Sequence, residues 1–242
     1  MKKLFTIVSM TLIIPALTSC GGGPKGDMPW IVDRFDDIKV IRYEVPGFDA
    51  LPLEEKELIY YLSEAAKCGR DILFDQNCPV NLPVRRTLET VYENYKGDRT
   101  TAEWKALEKY LKKVWFANGI HHHYSNDKFR PEFSEAYFAA TAATVPYAAF
   151  PQEFGSMEGL MAVVKPAIFD PALYPTKLNQ KAGDDLLLTS SSNYYHNVSQ
   201  AEAEAFYADM AAADAGNPEP VSYGLNSQLT KDDAGRICER VW

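Results

Sequence analysis

The chain has 242 residues, of which 46% are hydrophobic, 12% are aromatic and 24% are charged, a mixture that excludes a disordered, collagen-like or coiled-coil protein. Its 25 basic and 33 acidic side chains give a formal net charge of −8. That balance argues against nucleic acid as a partner, because phosphate neutralisation requires clustered Lys and Arg. The length predicts one large domain or two small ones, with a substantial hydrophobic core.

Residues 1–19 have the features of a secretory signal peptide. Two lysines precede a mainly apolar stretch, residues 4–17, which is shorter than the about 20 residues needed to span a bilayer. The stretch ends in Leu17-Thr18-Ser19-Cys20, which resembles the lipobox of bacterial lipoproteins. This resemblance implies that Cys20 becomes the first mature residue, carries acyl chains and anchors the protein to the membrane. The alternative is an ordinary signal peptide followed by an incidental cysteine.

Residues 20–35 are interpreted as the lipidated cysteine and a flexible tether, because the segment is rich in glycine near its start. The lipidated cysteine implies a bacterial cell-envelope location, lipid-anchored at the outer membrane. Three further cysteines, Cys68, Cys78 and Cys238, form no Cys-x-x-Cys pair, so a zinc ribbon is not expected. We interpret them as small buried hydrophobic residues; a disulfide between Cys68 and Cys78 is the alternative in an oxidising periplasm.

The folded part, residues 36–242, begins with a predicted strand over residues 36–45, which are rich in β-branched side chains and precede a proline. From Pro52 the apolar residues recur at three- and four-residue spacing, which predicts an amphipathic helix. The residues predicted to face inward are Leu58, Leu62, Ala65, Ala66, Gly69 and Leu73.

Two more helices are predicted before the middle of the chain. The first runs from Pro83, which suits a first helical position, to Tyr95 and is ended by Gly97. Thr100 and Glu103 have the spacing of a capping box that opens the next helix. Its predicted inward face consists of Trp104, Leu107, Leu111, Val114 and Trp115, and its end is Gly119.

Three further helices are predicted from local signals. Pro131 is placed to begin one, residues 157–164 form a shorter one, and Ser199 with Glu202 has the spacing of a second capping box, for a helix to about Ala213.

The chain closes with a predicted β-hairpin, because residues 221–229 and 236–242 flank a turn-rich break. An unpaired strand edge invites aggregation, so the terminal strand suggests a chain that is cut short. The whole pattern predicts an α+β fold that is mostly helical with a few strands.

The sequence contains no self-sufficient catalytic site. His121, His122 and His123 are consecutive, so at most two of them can face one metal ion. No helical His pair with an intervening Glu, no Gly-x-Ser-x-Gly elbow and no Walker loop occurs. We predict that the histidines lie in a polar loop after Gly119; an adventitious metal or ligand site is the alternative. We assign no catalytic residue and no metal ligand.

One segment combines aromatic rings with hydrogen-bonding groups just before a predicted helix N-terminus, namely Asn193-Tyr194-Tyr195-His196-Asn197. Such a segment can receive a peptide or a sugar. Asn193, Tyr194 and Tyr195 are therefore candidate substrate-binding residues. The alternative is a structural tyrosine pair beneath a loop.

Four segments of the sequence, considered together, bear on its family. In chain order they are Phe48–Ala66, Trp115–Phe129, Asn193–Tyr195 and Pro220–Ser227. Together they resemble the N-terminal region of dipeptidyl peptidase III, a family of zinc metallopeptidases, in its bacterial forms. The similarity runs from about Val45 to Trp242.

The resemblance implies a two-lobed enzyme that releases dipeptides from the N-terminus of short peptides. Zinc is held in the upper lobe by a His-Glu-x-x-x-His helix and a downstream Glu, and its water attacks the peptide carbonyl. The lower lobe, with a small β-barrel and helices, helps bind the peptide as a strand. This chain would supply the early part of that lobe. Neither zinc helix occurs in it, so the chain alone is expected to bind no zinc and to be inactive.

The alternative function is a non-catalytic envelope lipoprotein that binds peptides or glycans. Fourteen Tyr and four Trp suit stacking on sugar rings, although the same rings pack protein cores equally well. The peptidase interpretation also predicts exposed apolar surface, and with it poor solubility or self-association of the isolated chain.

Overall fold

The computed structural model describes residues 30–219 and 226–242. Residues 1–19, Cys20, the first part of the tether and residues 220–225 lie outside the described residues. The fold is α+β, with helices and two small antiparallel sheets. The chain divides into two compact units, of which the first ends at Ala50 and the second runs from Leu51 to Trp242. No helix among the described residues is both long and apolar enough to cross a membrane.

The described part of the first unit is a β-hairpin followed by a short 3-10 helix. Strands β1 (Ile31–Phe35) and β2 (Ile38–Ile41) pair in an antiparallel arrangement. The single strand expected over residues 36–45 is therefore too long and omits β1. The reason is a tight turn at Asp36, whose φ of 52° lies in the left-handed region that aspartate tolerates.

The second unit begins with two helices where the sequence predicted one. Helix α1 (Leu53–Cys68) stops at Gly69, and α2 (Arg70–Asn77) starts immediately after it. No residue of α1 is buried, whereas α2 buries Phe74 and Gln76. The predicted inward-facing stripe is wrong: every member is exposed except Gly69, which is half-buried. Periodicity shows which side of a helix can be buried, and no other described element of this unit covers this side.

Helices α3 (Asn81–Asn94) and α4 (Ala102–Ala117) form the centre of the main hydrophobic core. Both helices are confirmed, with shifted ends. Helix α3 begins two residues before Pro83, and its C-cap is Tyr95 rather than Gly97. The core residues that these helices contribute include Val84, Leu88, Val91, Trp104, Leu107, Leu111 and Val114.

The start of α4 differs from the predicted capping box. Thr101 caps the helix, because its hydroxyl oxygen accepts the N–H of Trp104 at 3.2 Å. The Thr100 hydroxyl instead donates to Asp98 at 2.7 Å, and Glu103 accepts the N–H and hydroxyl of Ser134. Trp115, predicted to face inward, is half-buried.

Helices α5 (Glu135–Ala143) and α6 (Met157–Phe169) extend the same core through Phe138, Leu160 and Ile168. Helix α5 begins after Ser134, whose hydroxyl oxygen accepts the N–H of Tyr137, and not at Pro131. Helix α6 continues past residue 164 and contains Pro166 in its last turn.

The last elements are α7 (Gln200–Ala213), β3 (Ser227–Lys231) and β4 (Ile237–Val241). The capping box of α7 is confirmed, since Ser199 and Glu202 bond each other's backbone N–H. The β-hairpin is also confirmed for the described residues, with β3 and β4 antiparallel. A second, smaller cluster of buried residues, Val198, Ala203 and Leu229, joins α7 to β3.

The three cysteines among the described residues are free thiols. Only Cys78 is fully buried, where desolvation raises the pKa of its thiol to about 12. Cys68 is exposed and Cys238 is half-buried. The interpretation as buried hydrophobic residues is therefore right for Cys78 and wrong for Cys68, and the alternative Cys68–Cys78 disulfide is not formed.

Candidate functional site

The three consecutive histidines follow the end of α4, in a loop as predicted. The rings of His122 and His123 stack on each other at 4.4 Å, whereas His121 has separate contacts. His121 is buried, and its Nε2 bonds the carbonyl of Tyr174 at 2.8 Å. Because a carbonyl only accepts, this nitrogen carries the ring proton. The Nδ1 atom of His122 accepts two backbone N–H groups, from Tyr124 and Ser125. The His123 ring packs edge-on against Phe116 at 4.9 Å.

This arrangement offers no zinc site. Within residues 30–219 and 226–242, no three or more His, Cys, Asp or Glu side chains form a group able to hold a metal ion. His121 and His122 each use one ring nitrogen in hydrogen bonds. In both cases the partners are backbone groups. The residues that are described therefore do not fit the zinc implied by the resemblance.

The segment 193–197 lies where the sequence placed it, before α7, and it runs parallel to β3. The N–H of Leu229 donates to the carbonyl of Tyr194, and the N–H of His196 donates to the carbonyl of Leu229, both at 2.8 Å. The segment therefore extends the β3–β4 hairpin by a third, strand-like edge.

Two glutamines hold this segment in position. The buried Gln228 donates from its Nε2 to both the carbonyl and the Oδ1 of Asn193, each at 2.7 Å. On the other side, the carbonyl of Gln76 accepts the N–H of Asn193 at 2.8 Å, and the Gln76 Oε1 accepts the Tyr194 hydroxyl at 3.0 Å. The polar groups of two candidate binding residues are thus engaged inside the protein.

Sequence reasoning missed both glutamines. Gln76 is 5% exposed and Gln228 is 2% exposed, values that are unusual for an uncharged polar side chain unless its hydrogen bonds are satisfied. Gln228 lies inside the predicted strand of residues 221–229, whereas Gln76 lies between Leu73 and the predicted helix start at Pro83, so no local signal marked either glutamine as a contact of the site. Nearby, burial raises the pKa of the Asp75 carboxyl, while the charge of Arg240 and a hydrogen bond from Asn193 act in the opposite direction.

Tyr195 differs from its two neighbours, because it lines two adjoining grooves. The larger has a volume of about 350 Å³ and the smaller about 220 Å³. Both lie between the segment 193–197 and residues 186–192. The larger groove is completed by Tyr207 of α7 and Ser227 of β3. Neither lining contains Asp, Glu, Lys or Arg.

Tyr207, which lines the larger groove, is partly desolvated. Burial is the main reason that the pKa of Tyr207 is raised, and the nearby Tyr195 and Glu239 raise it further. The Tyr207 hydroxyl is therefore neutral at ordinary pH, and its side chain is hydrogen-bonded to that of Tyr195. Two larger grooves, of about 540 and 460 Å³, meet at Phe169 near the end of α6 and contain none of the candidate residues.

The chain matches no protein-family model and none of the curated proteins with which it was compared. A functional proposal therefore depends on the resembling segments and on the geometry of this site.

Proposed function

We propose that this chain is the early part of the lower lobe of a dipeptidyl peptidase III-like zinc peptidase. It contributes a scaffold and a peptide-binding surface, and the hydrolytic metal belongs to a part of the enzyme that this sequence does not contain. The main support is the order and spacing of the four resembling segments along the chain.

The observation that carries the peptide-binding role is the position of Tyr195. The chain around it lies in an extended conformation beside β3, is fixed by Gln76 and Gln228, and opens onto two grooves. A rigid extended segment beside a groove suits a peptide ligand, because main-chain hydrogen bonds supply affinity and pockets supply selectivity. Of the three candidate residues, Tyr195 is the one that lines both grooves, whereas Tyr194 lines only the larger and Asn193 only the smaller.

Zinc enters the proposal through the resemblance alone. It would activate the attacking water in the complete enzyme, on ligands that the described residues do not provide. The role of this chain is to bind and orient the peptide.

The first experiment concerns catalysis. The genomic sequence that encodes this chain is read through to its stop codon, and the complete product is purified. That product should release the arylamine from a dipeptidyl arylamide, a chelator should stop the release, and added zinc should restore it. The 242-residue chain should release none. A stop codon directly after Trp242 in the genomic sequence, or a complete product that ignores the chelator, would overturn the proposal.

The proposed location follows from Cys20, which lies outside the described residues. We propose an outer-membrane lipoprotein of the bacterial cell envelope, anchored through this cysteine. Metabolic labelling with an alkyne fatty acid should mark the wild-type protein and leave Cys20→Ser unmarked, with the variant released from the membrane fraction. Equal labelling of both proteins would contradict lipidation at this cysteine.

The second candidate is a non-catalytic envelope lipoprotein that binds peptides or glycans. The observation that favours it is that both grooves are lined by tyrosine and serine side chains and by no Asp, Glu, Lys or Arg. Ligand binding together with a complete product that hydrolyses nothing would select this function.

A further inference from the structure

We propose that the two grooves beside Tyr195 bind an extended peptide segment whose side chains at this site are uncharged. The choice of a peptide rests on the proposed function. The location of the site rests on the main-chain groups of Tyr195 and on the position of the grooves. Its selectivity rests on the residues that line the grooves.

The first argument is an open pair of main-chain groups. The carbonyl of Tyr194 and the N–H of His196 both bond Leu229 of β3. Because alternate residues of an extended chain direct their main-chain groups to opposite edges, the N–H and C=O of Tyr195 point away from β3. Neither has a backbone partner among the described residues. One residue of an added peptide can therefore pair with Tyr195 through two hydrogen bonds.

The second argument is the placement of the grooves. Tyr195 and Leu187 line both of them, so a peptide that pairs with Tyr195 has access to each. Alternate side chains of an extended peptide lie about 7 Å apart on one face. Two side chains of one short peptide can therefore occupy neighbouring grooves without a bend in the peptide.

The third argument is the chemistry of the lining. The grooves contain tyrosine rings, leucines and serines, and neither lining contains Asp, Glu, Lys or Arg. A charged ligand side chain would lose water there without gaining an opposite charge. Ser192 and Ser227 line the larger groove, and a serine hydroxyl can bond a polar, uncharged group such as a tyrosine hydroxyl.

The probe is N-acetyl-Val-Tyr-Val-Tyr-Val-amide, titrated into the 242-residue chain by calorimetry. One set of variants carries Asp or Lys at each position in turn, and another carries a single N-methyl group at each position. We expect binding of the parent peptide, weakened by about tenfold or more when a charge enters either groove. Because only one ligand residue pairs with Tyr195, N-methylation of that residue should weaken binding far more than N-methylation of its neighbours.

Variants of the protein test the charge preference of the grooves independently. Ser192→Asp and Ser227→Asp each add a carboxylate to the lining and should shift the preference toward the peptides that carry Lys. The matched control is Ser63→Asp, on the exposed surface of α1 and outside both grooves, which should leave the preference unchanged. Far-ultraviolet circular dichroism establishes that each variant is folded.

Several results would overturn the inference. These are no binding of any peptide, equal binding of charged and uncharged peptides, equal effects of N-methylation at every position, or binding of maltotriose with no peptide binding. A complete product that hydrolyses peptides while this chain binds none would remove the inference and leave the proposed function. Selective binding by this chain, with a complete product that hydrolyses nothing, would do the reverse.

Discussion

Gly119 lies directly against the side chain of Asn81. A Cβ atom on Gly119 would be 2.2 Å from the Asn81 Nδ2, and the φ of Gly119 is 148°. The Asn81 side chain is fully buried, donates to the carbonyl of Phe74 at 2.9 Å and accepts the N–H of Ile120 at 3.0 Å. One carboxamide therefore joins α2, the start of α3 and the segment that follows α4.

The first prediction tests this close approach. Gly119→Ala should lower the free energy of unfolding by about 3 kcal/mol, because the alanine meets both a disfavoured backbone conformation and the Asn81 side chain. Urea unfolding followed by circular dichroism measures the change. The control is Gly69→Ala between α1 and α2, where φ is −77° and the nearest atom would be 3.6 Å away. The control should lose no stability, and equal losses in the two variants would contradict the argument.

The second prediction concerns the carboxamide itself. Asn81→Leu keeps a similar volume but leaves the buried N–H of Ile120 without its acceptor, which should cost about 2 kcal/mol. The matched control is Asn94→Leu at the exposed end of α3, where the asparagine bonds only the carbonyl of Thr90. We expect the control to change the urea midpoint by less than a third as much. A neutral Asn81→Leu would show that the hydrogen bonds at Asn81 add nothing to stability.

The helices that sequence reasoning located best are those with local signals. The core stripes of α3 and α4 repeat every three or four residues, and the capping box of α7 spans residues 199–202. The hydrogen bonds that fix the segment 193–197 in position were not predictable in this way. Gln228 lies 35 positions from Asn193, and Gln76 lies 118 positions from Tyr194. A pattern within one element carries no information about such partners.

The same distinction explains the error on α1. Its apolar stripe is real, yet burial depends on a second surface, and no other described element of the second unit supplies one. Asn193, Tyr194 and Tyr195 were singled out together from composition, whereas their neighbours give them different surroundings. The pairing directs the carbonyl of Tyr194 toward β3, whereas the main-chain groups of Tyr195 point away from β3. This difference depends only on the register of the two segments.

The third prediction is a loss of stability in mild acid that originates at His121. Desolvation lowers the pKa of this buried histidine to about 4, from an ordinary value of 6.5. Between pH 6.5 and pH 4 the unfolded chain therefore binds a proton that the folded chain does not bind. The free energy of unfolding should fall across this window by up to about 3 kcal/mol. The contribution is fully present above pH 6.5, where His121 is neutral in both states.

His121→Gln is the matching variant, because its amide can still donate to the carbonyl of Tyr174 without titrating. Urea unfolding at several pH values between 6.5 and 4.5 should show a shallower pH dependence for the variant than for the wild type. Asp71 and Glu202, whose pKa values are lowered by their hydrogen bonds, lose stabilisation at lower pH and are present in both proteins. Identical pH dependence in the two proteins would show that His121 does not cause the loss.

The fourth prediction concerns the ion pairs of Asp71. Its two carboxylate oxygens accept from Arg86 at 2.8 Å and from Arg85 at 2.7 Å, and the hydrogen bond from Arg86 is the main reason that the pKa of Asp71 is lowered. The Arg85 side chain is only 9% exposed. Asp71→Asn should therefore cost about 1 kcal/mol, a value reduced by the partial exposure of the carboxylate. Glu64→Gln, in the exposed pair with Lys67, is the control and should be nearly neutral in chemical denaturation.

The last prediction concerns the exposed apolar surface of α1. Leu58, Tyr61 and Leu62 are 58%, 68% and 60% exposed on this helix, and contiguous apolar surface of this kind promotes association. We expect the 242-residue chain to self-associate as its concentration rises in sedimentation velocity. The double variant Leu58→Lys/Leu62→Glu should reduce this association without a loss of unfolding free energy, because no residue of α1 is buried.

Glu57→Leu tests the same surface in the opposite direction. It enlarges the apolar area of α1 at an exposed position and should increase association, whereas a general effect of charge or of misfolding would not produce opposite changes in the two variants. If the apolar stripe of α1 causes the self-association, the double variant will sediment mainly as a monomer at concentrations where the wild type is associated. A wild-type chain that stays monomeric throughout would mean that α1 alone is too small a surface to hold two copies together.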